Sequence, residues 1–223
     1  MPDKKFIYAG PSWAMKSYDS PDTDASPTNL LKLWKLEDSA IDLSEEGAFF
    51  SMQYERLINL NSDLPVVYIT CEPLVETELF DHMHTEEDVM KYRNNIHKNH
   101  TNMLRYIKNP VAIIGAHTDA SSNMASNSNN RIIDLSWQNF LRKEINLPSM
   151  YNWGADVFHT HWSENGYQLK DKSMIDQMHL QFQSWDALQE EGLMYGPHPT
   201  QKGNELYAEY TYDKVQEFLN DNT

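Results

Sequence analysis

The sequence predicts an α/β fold, a three-layer sandwich around a mostly parallel, flavodoxin-like sheet. Four short apolar segments lack the strict polar alternation of half-exposed strands, which is typical of strands buried on both faces. Stretches with helical periodicity separate them, and strands that alternate with helices favour parallel pairing through right-handed crossovers. The length of 223 residues suits a single domain that spans residues 1–223.

The elements are predicted in the following order along the chain. Buried strands are predicted at residues 6–9, 40–43, 66–70 and 111–115, with a further short strand at 157–162. Helices are predicted at residues 29–36, 49–59, 88–108, 137–145, 173–190 and 203–219. The helix at 49–59 has apolar spacing at Phe49, Met52 and Leu57. The polar segment 119–130 carries no core pattern and is predicted to be a surface loop or lid.

Composition excludes several function classes. Eighteen basic against 33 acidic side chains give a net charge of −15, which disfavours binding to phosphate backbones, so no nucleic-acid partner is expected. No apolar run approaches the ~18 residues of a membrane span, and the N-terminus lacks a signal-peptide core. The single cysteine, Cys71, cannot form an intramolecular disulfide, and a soluble cytoplasmic protein is expected. Acidity of this degree also occurs in saline surroundings and in viral particles, and composition does not choose among these origins.

A serine and a histidine that are distant in sequence are predicted to meet at one edge of this sheet. Ser12 follows the first strand, in Gly10-Pro11-Ser12, and His198 precedes the last helix. Ligands bind beyond the carboxyl ends of the strands in open α/β sheets, and a serine becomes a nucleophile when a neighbouring base takes its proton. A simpler interpretation is that Ser12 caps a turn and that His198 precedes a helix capped by Thr200.

The order of these pieces resembles the SGNH/GDSL hydrolase superfamily, whose sequence blocks span the whole domain. Gly10-Pro11-Ser12 is similar to the family's Gly-Asp-Ser, Gly47 to its second-block glycine, and His198-Pro199 to its fifth block. The resemblance implies an esterase that acts on acyl esters of small molecules or glycans. It implies Ser12 as nucleophile, His198 as base, and the N–H groups of Ser12 and Gly47 as donors to the oxyanion.

Two positions of the family pattern carry other residues. Glu72 stands where the third-block asparagine is expected, and a carboxylate cannot donate a hydrogen bond to an oxyanion. Tyr195 stands where the aspartate three residues before the histidine is expected. Asp119 is the candidate that replaces this aspartate, with Asp186 as a second one. The residues expected to contact the substrate are Trp13, Glu72, His117 and Tyr195. No cofactor and no metal are expected for this mechanism.

Two other functions stay open. The substitutions at Glu72 and Tyr195 favour a catalytically degenerate protein that keeps the fold for binding or structure, such as a carbohydrate-binding accessory protein. The histidines favour a metal-dependent hydrolase in which His117, Asp119, His159 and His161 hold zinc or another transition metal. No His-Glu-x-x-His or Cys-x-x-Cys spacing accompanies them, so surface or structural histidines are the simpler interpretation. The oligomeric state cannot be predicted from these patterns.

The tryptophans carry a further alternative, since flat aromatic faces stack on sugar rings. Trp13, Trp137, Trp153 and Trp162 are the residues concerned. Burial in the core is the simpler interpretation for each, and Trp13 is the exception because it adjoins Ser12.

Overall fold

In the part of the chain that the structure describes, the fold is built on a five-stranded parallel sheet. The computed structural model describes residues 4–10, 14, 29–45, 50–70, 98, 101–102, 104–116, 120, 129–149, 183, 185–196 and 198–222. The strands are β1 (Phe6–Ala9), β2 (Ala40–Asp42), β3 (Val66–Thr70), β4 (Val111–Gly115) and β5 (Asn130–Ile132). They lie in the order β2-β1-β3-β4-β5, which is that of flavodoxin-like sheets. The predicted α/β class with a parallel sheet is confirmed.

Helices and a small β-ribbon complete the described part. The helices are α1 (Leu30–Leu33), α2 (Phe50–Asn59), α3 (Trp137–Glu144) and α4 (Gln201–Asn222). Residues 101–102, 104–106 and 185–190 are also helical. Strands β6 (Met194–Tyr195) and β7 (His198–Pro199) pair antiparallel just before α4. None of the helices in these described ranges combines the length and the apolar character needed to cross a bilayer.

The central strands are buried on both faces. Every residue of β1, β3 and β4 is buried. Phe6 and Tyr8 belong to one apolar cluster, with residues of α1, α3 and α4, whereas Ile7 and Ala9 belong to a second one that includes Leu57 of α2. Successive side chains of a strand point to opposite faces, so both faces of this strand meet an apolar cluster. Covering on both sides accounts for the missing polar alternation in the sequence.

Helix α4 runs antiparallel to β5. Near its C-terminus, Asp221 accepts a hydrogen bond from Arg131 of β5 at 2.8 Å. One third of the way along the helix, the Tyr207 hydroxyl donates to the carbonyl of Leu135, beyond the end of β5, at 2.8 Å. Earlier residues of α4 thus contact later residues of the β5 segment. The N-terminus of α4 therefore lies beyond the carboxyl end of β5.

Aromatic rings join α4 to α3. The rings of Trp137 and Tyr207 stack with centroids 4.9 Å apart, and those of Phe140 and Tyr210 stack at 4.5 Å. Such pairs contribute about 0.5 to 1.5 kcal/mol each beyond the area that they bury. Trp137 is fully buried, which confirms the core interpretation for this tryptophan.

The bounds of several elements differ from the prediction. Strand β2 ends one residue earlier, and α4 extends the predicted helix at both ends. Strand β5 was not predicted, and Asn130, the last residue of the predicted loop 119–130, is its first residue. It is three residues long and begins with the polar residues Asn130 and Arg131, so it carries no apolar run. The strand predicted at 157–162 lies outside the described residues.

Tyr8 links the stability of the fold to alkaline pH. Its fully buried hydroxyl donates to the carbonyl of Ala14 at 3.0 Å. Burial, and then the negative charge of Asp42, raise the pKa of the Tyr8 phenol well above its ordinary value. In the unfolded chain the phenol ionises near about pH 10, so above that pH the unfolded state loses a proton that the native state keeps. This contribution to stability is complete below about pH 10 and decreases as the pH rises further.

We expect Tyr8→Phe to lessen the loss of stability at alkaline pH. Above about pH 10, the free energy of unfolding of the wild type should fall by up to about 1.4 kcal/mol per pH unit more steeply than that of the variant. Urea unfolding between about pH 9 and about pH 11 measures both slopes. The hydrogen bond lost in Tyr8→Phe lowers stability by about 1 kcal/mol at every pH and does not alter the slope. Equal slopes in the two proteins would contradict the expectation.

Candidate active site

One backbone carbonyl, that of Gly10, joins the ends of β1 and β2 to α2. Gly10 directly follows β1, and its oxygen accepts hydrogen bonds from the Glu45 backbone N–H at 3.0 Å and from Gln53 Nε2 at 3.3 Å. Two donors occupy both lone pairs of a carbonyl oxygen. In the sequence, Ser12 lies two residues after Gly10, and Gly47 lies between Glu45 and α2. The Gly10 junction, formed by Gly10, Glu45 and Gln53, therefore ties together the segments that carry the predicted nucleophile and the predicted oxyanion donor.

The backbone directly after β1 has room only for glycine at position 10. A Cβ on Gly10 would lie 2.8 Å from Ala14 Cβ, 2.9 Å from Ile69 Cβ and 3.0 Å from the Ile69 carbonyl oxygen. Ala14 is helical and fully buried, and the Tyr8 hydroxyl holds its carbonyl. The chain is thus fixed at both ends of the segment 10–14, within which Ser12 lies in the sequence.

The polar groups at the junction differ in their burial. Arg56 of α2 forms an ion pair with Glu45, and both side chains are about two-fifths exposed, so solvent screens this pair strongly. Gln53 is fully buried, and its Oε1 accepts no hydrogen bond from any residue that the structure describes. Burying an amide with one unpaired polar atom costs stability. The hydrogen bond from Gln53 to Gly10 is the interaction that the buried amide provides in return.

The neighbouring strand ends are linked in the same way. The backbone N–H of Ala116 donates to the carbonyl of Thr70 at 3.0 Å, and the N–H of Gln138 donates to the carbonyl of Ala116 at 2.9 Å. These bonds join the carboxyl ends of β3 and β4 to the start of α3. In the sequence, Glu72 follows Thr70 and His117 follows Ala116. The described backbone therefore fixes the last described residues before Glu72 and His117 in the sequence.

His198 and Tyr195 face each other in the β6–β7 ribbon. They are register partners, and each is partly buried. Thr200 caps α4, because its Oγ1 accepts the Gly203 N–H at 3.2 Å, as the capping interpretation predicts. The N-terminus of α4 lies beyond the carboxyl end of β5. His198 consequently lies toward the same edge of the sheet as the Gly10 junction.

Most of the predicted site residues lie outside the described part of the chain. These are Ser12, Trp13, Gly47, Glu72, His117, Asp119, His159 and His161, together with Cys71, Trp153 and Trp162. Their proposed roles stay predictions. Asp186, the second candidate for the third triad member, is exposed within the helical residues 185–190. No three His, Cys, Asp or Glu side chains among the described residues are grouped so that they could hold a metal ion.

The sequence did not indicate Gln53 as a site residue. The predicted helix 49–59 places Met52 on its apolar face, but Met52 is 41% exposed, and Gln53 occupies the buried position. Gln53 and Leu57 are four residues apart and both are buried, so they share one face of α2. A prediction that placed positions 53 and 57 on the buried face of this helix would have shown that a glutamine is buried there.

A cleft of about 160 Å³ opens at the opposite edge of the sheet. It lies between the C-terminal end of α2 and the segment before β4, and Ile58, Asp63, Tyr106 and Asn109 are among the residues that line it. The cleft lies at the amino ends of β3 and β4, because its lining residues come just before these strands in the sequence. It is therefore separate from the Gly10 junction, which lies at the carboxyl end of β1.

Comparison of the chain with protein-family models, with curated proteins and with solved structures finds no match.

Proposed function

We propose that the chain is an SGNH-like serine esterase that hydrolyses acyl esters, with Ser12 as nucleophile and His198 as base. The Gly10 junction is the observation that supports this most, because it ties the segments before Ser12 and before Gly47 to one carbonyl. It lies at the carboxyl edge of a parallel sheet, where α/β enzymes bind their ligands. The approach of His198 toward that edge adds support.

The proposed reaction proceeds in two steps. Ser12 Oγ attacks the ester carbonyl carbon while His198 takes its proton, and the N–H groups of Ser12 and Gly47 donate to the resulting oxyanion. His198 then returns the proton to the alcohol as the bond between acyl carbon and alcohol oxygen breaks. In the second step His198 takes a proton from water, and the water oxygen attacks the acyl carbon. The bond from that carbon to Ser12 Oγ then breaks as His198 returns the proton to Oγ, which leaves a carboxylic acid and free Ser12.

Tyr195 and Glu72 depart from the family pattern, so another residue is assigned to the third triad position, and both are assigned to substrate contacts. Tyr195 stands opposite His198 and cannot supply a carboxylate to orient the imidazole, so Asp119 is assigned that role. Trp13, Glu72, His117 and Tyr195 are assigned to substrate contacts. An aromatic face beside polar side chains suits a sugar, so acyl esters of glycans are the proposed substrate class.

The test is ester hydrolysis by the purified protein and two variants. We expect the wild type to hydrolyse p-nitrophenyl acetate and an acetylated sugar faster than buffer. His198→Ala should lower kcat/KM by about 10²- to 10⁴-fold, because general-base catalysis contributes that much, and Ser12→Ala by at least as much. The control is Ser62→Ala, which removes a serine at the opposite edge of the sheet and should leave the rate unchanged. Equal rates in wild type, Ser12→Ala and buffer would contradict the proposal.

A binding function is the second candidate. The observation that favours it is the pairing of Tyr195 with His198, which places an aromatic residue where a hydrolase of this kind needs a carboxylate. In that case wild type and Ser12→Ala would bind an acetylated glycan with the same Kd, and neither would release acetate. Calorimetric titration beside an acetate assay separates the two functions.

A further inference from the structure

Gln53 is a buried polar residue on the face of α2 that contacts Gly10. It has no exposed surface, its Nε2 donates to the Gly10 carbonyl at 3.3 Å, and its Oε1 accepts no hydrogen bond within the described ranges. Leaving a buried acceptor unsatisfied costs about 1 to 3 kcal/mol, so a methionine or leucine would serve the core better at this position. The one described interaction that the amide makes is with the backbone that leads to Ser12.

The contacts of Gln53 connect α2 with Gly10, the residue after β1. In the sequence, Ser12 lies in the segment 10–14. Among the described residues, Gln53 and Glu45 donate to the carbonyl of Gly10, and Tyr8 donates to the carbonyl of Ala14. A change in the bond from Gln53 to Gly10 therefore alters how α2 sits against the end of β1.

We propose that Gln53 is a positioning residue for Ser12, which acts by holding the Gly10 carbonyl, two residues before the nucleophile in the sequence. The catalytic part of this inference rests on the proposed esterase function, whereas the hold on Gly10 rests on the geometry alone. The Glu45 backbone N–H also donates to the same carbonyl, and a substitution at Gln53 leaves that bond in place. Loss of the Gln53 bond thus loosens Gly10 without freeing it.

The first test replaces the amide by a side chain of similar size. Gln53→Met should lower kcat/KM for an acyl ester about 10- to 100-fold through kcat, with KM unchanged, because displacement of a reacting group by a fraction of an ångström has effects of that size. Gln189→Met is the matched control, since Gln189 is exposed on the helical residues 185–190. The control should keep the wild-type rate.

The second test uses pH to separate positioning from general destabilisation. In Gln53→Glu, the protonated carboxyl can donate to the Gly10 carbonyl, whereas the ionised carboxylate repels it. The ratio of its kcat/KM to that of the wild type should therefore be highest at acidic pH and fall as the introduced carboxyl ionises. Arg56 and Glu45 are the charged residues at this junction, and they move the midpoint down and up respectively. A role in stability alone would leave the ratio constant where both proteins are folded.

A third measurement reports on residues 12–14 and does not depend on ester hydrolysis. Amide hydrogen exchange of residues 12–14 should be about 10-fold faster in Gln53→Met than in the wild type, and exchange in β4 should be unchanged. If exchange at residues 12–14 is faster in Gln53→Met but the wild type hydrolyses no ester, the esterase proposal fails while the hold of Gln53 on Gly10 stands. If Gln53→Met hydrolyses esters at the wild-type rate and its exchange is unchanged, the inference about Gln53 is overturned and the esterase proposal stands.

Discussion

Gly203→Ala is expected to lower the free energy of unfolding by about 2 to 3 kcal/mol, because α4 has no room for a Cβ at this position. A Cβ there would overlap the carbonyl oxygen of Leu193 and lie 3.4 Å from Leu141 Cδ1. The Leu193 carbonyl is itself fixed, since it accepts the Thr200 N–H at 3.1 Å. Either α4 or the β6–β7 ribbon must move. This loss exceeds the gain of about 1 kcal/mol that alanine brings to a helix interior.

Urea unfolding of Gly203→Ala beside a matched helix variant measures this effect. Glu209→Ala also introduces alanine into α4, but at an exposed position, so its stability should stay within about 0.5 kcal/mol of the wild type. A Gly203→Ala protein as stable as Glu209→Ala would contradict the close approach of α4 to Leu193. The same variant should slow ester hydrolysis, because the ribbon that moves contains His198.

Gly10→Ala is expected to lower the free energy of unfolding by about 1 to 3 kcal/mol and to abolish the reactivity of Ser12. The new Cβ would meet Ala14 Cβ at 2.8 Å and Ile69 Cβ at 2.9 Å, inside the distances that carbon atoms keep. Ile69 is a fully buried residue of β3 and Ala14 is held by Tyr8, so neither neighbour moves freely. The backbone at Gly10, two residues before Ser12 in the sequence, must shift instead.

A second glycine provides the control for backbone conformation. Gly192 has a positive φ of 67°, and a Cβ on it would have no atom within 4 Å, so Gly192→Ala tests conformational strain without a clash. That variant should lose about 1 kcal/mol and keep the wild-type rate of ester hydrolysis. Thermal and urea unfolding give both stabilities. If Gly10→Ala hydrolysed esters as fast as Gly192→Ala, the packing of Ala14 on Gly10 would have no bearing on Ser12.

The central strands could be predicted from the sequence for a physical reason. Apolar clusters on both faces demand an uninterrupted apolar segment, and the predicted bounds 6–9, 66–70 and 111–115 agree with β1, β3 and β4. Strand β5 escaped prediction because it has only three residues and begins with Asn130 and Arg131, which form no apolar pattern. Its Arg131 extends to Asp221 and Glu217 of α4, which is a long-range pairing that no local pattern contains.

The site could be predicted only in part for a related reason. Thr200 is recognisable as a helix cap, since capping depends on residues close in the sequence. Gln53 is not, because a glutamine in a helix is ordinarily exposed and its partner, the Gly10 carbonyl, lies 43 residues earlier in the chain. Tyr8 was not recognisable either, because the acceptor of its buried hydroxyl, the Ala14 carbonyl, is brought to it only in the folded chain.

Intact-mass labelling with a fluorophosphonate shows whether Ser12 is an activated nucleophile. The wild type should gain the mass of one covalent adduct, Ser12→Ala should gain none, and His198→Ala should react about 10²- to 10⁴-fold more slowly because it lacks the base. All three proteins should show the same unfolding transition, so that folding is not the variable. A folded wild type that takes up no label, or a Ser12→Ala variant that is labelled as fast as the wild type, would contradict the serine mechanism.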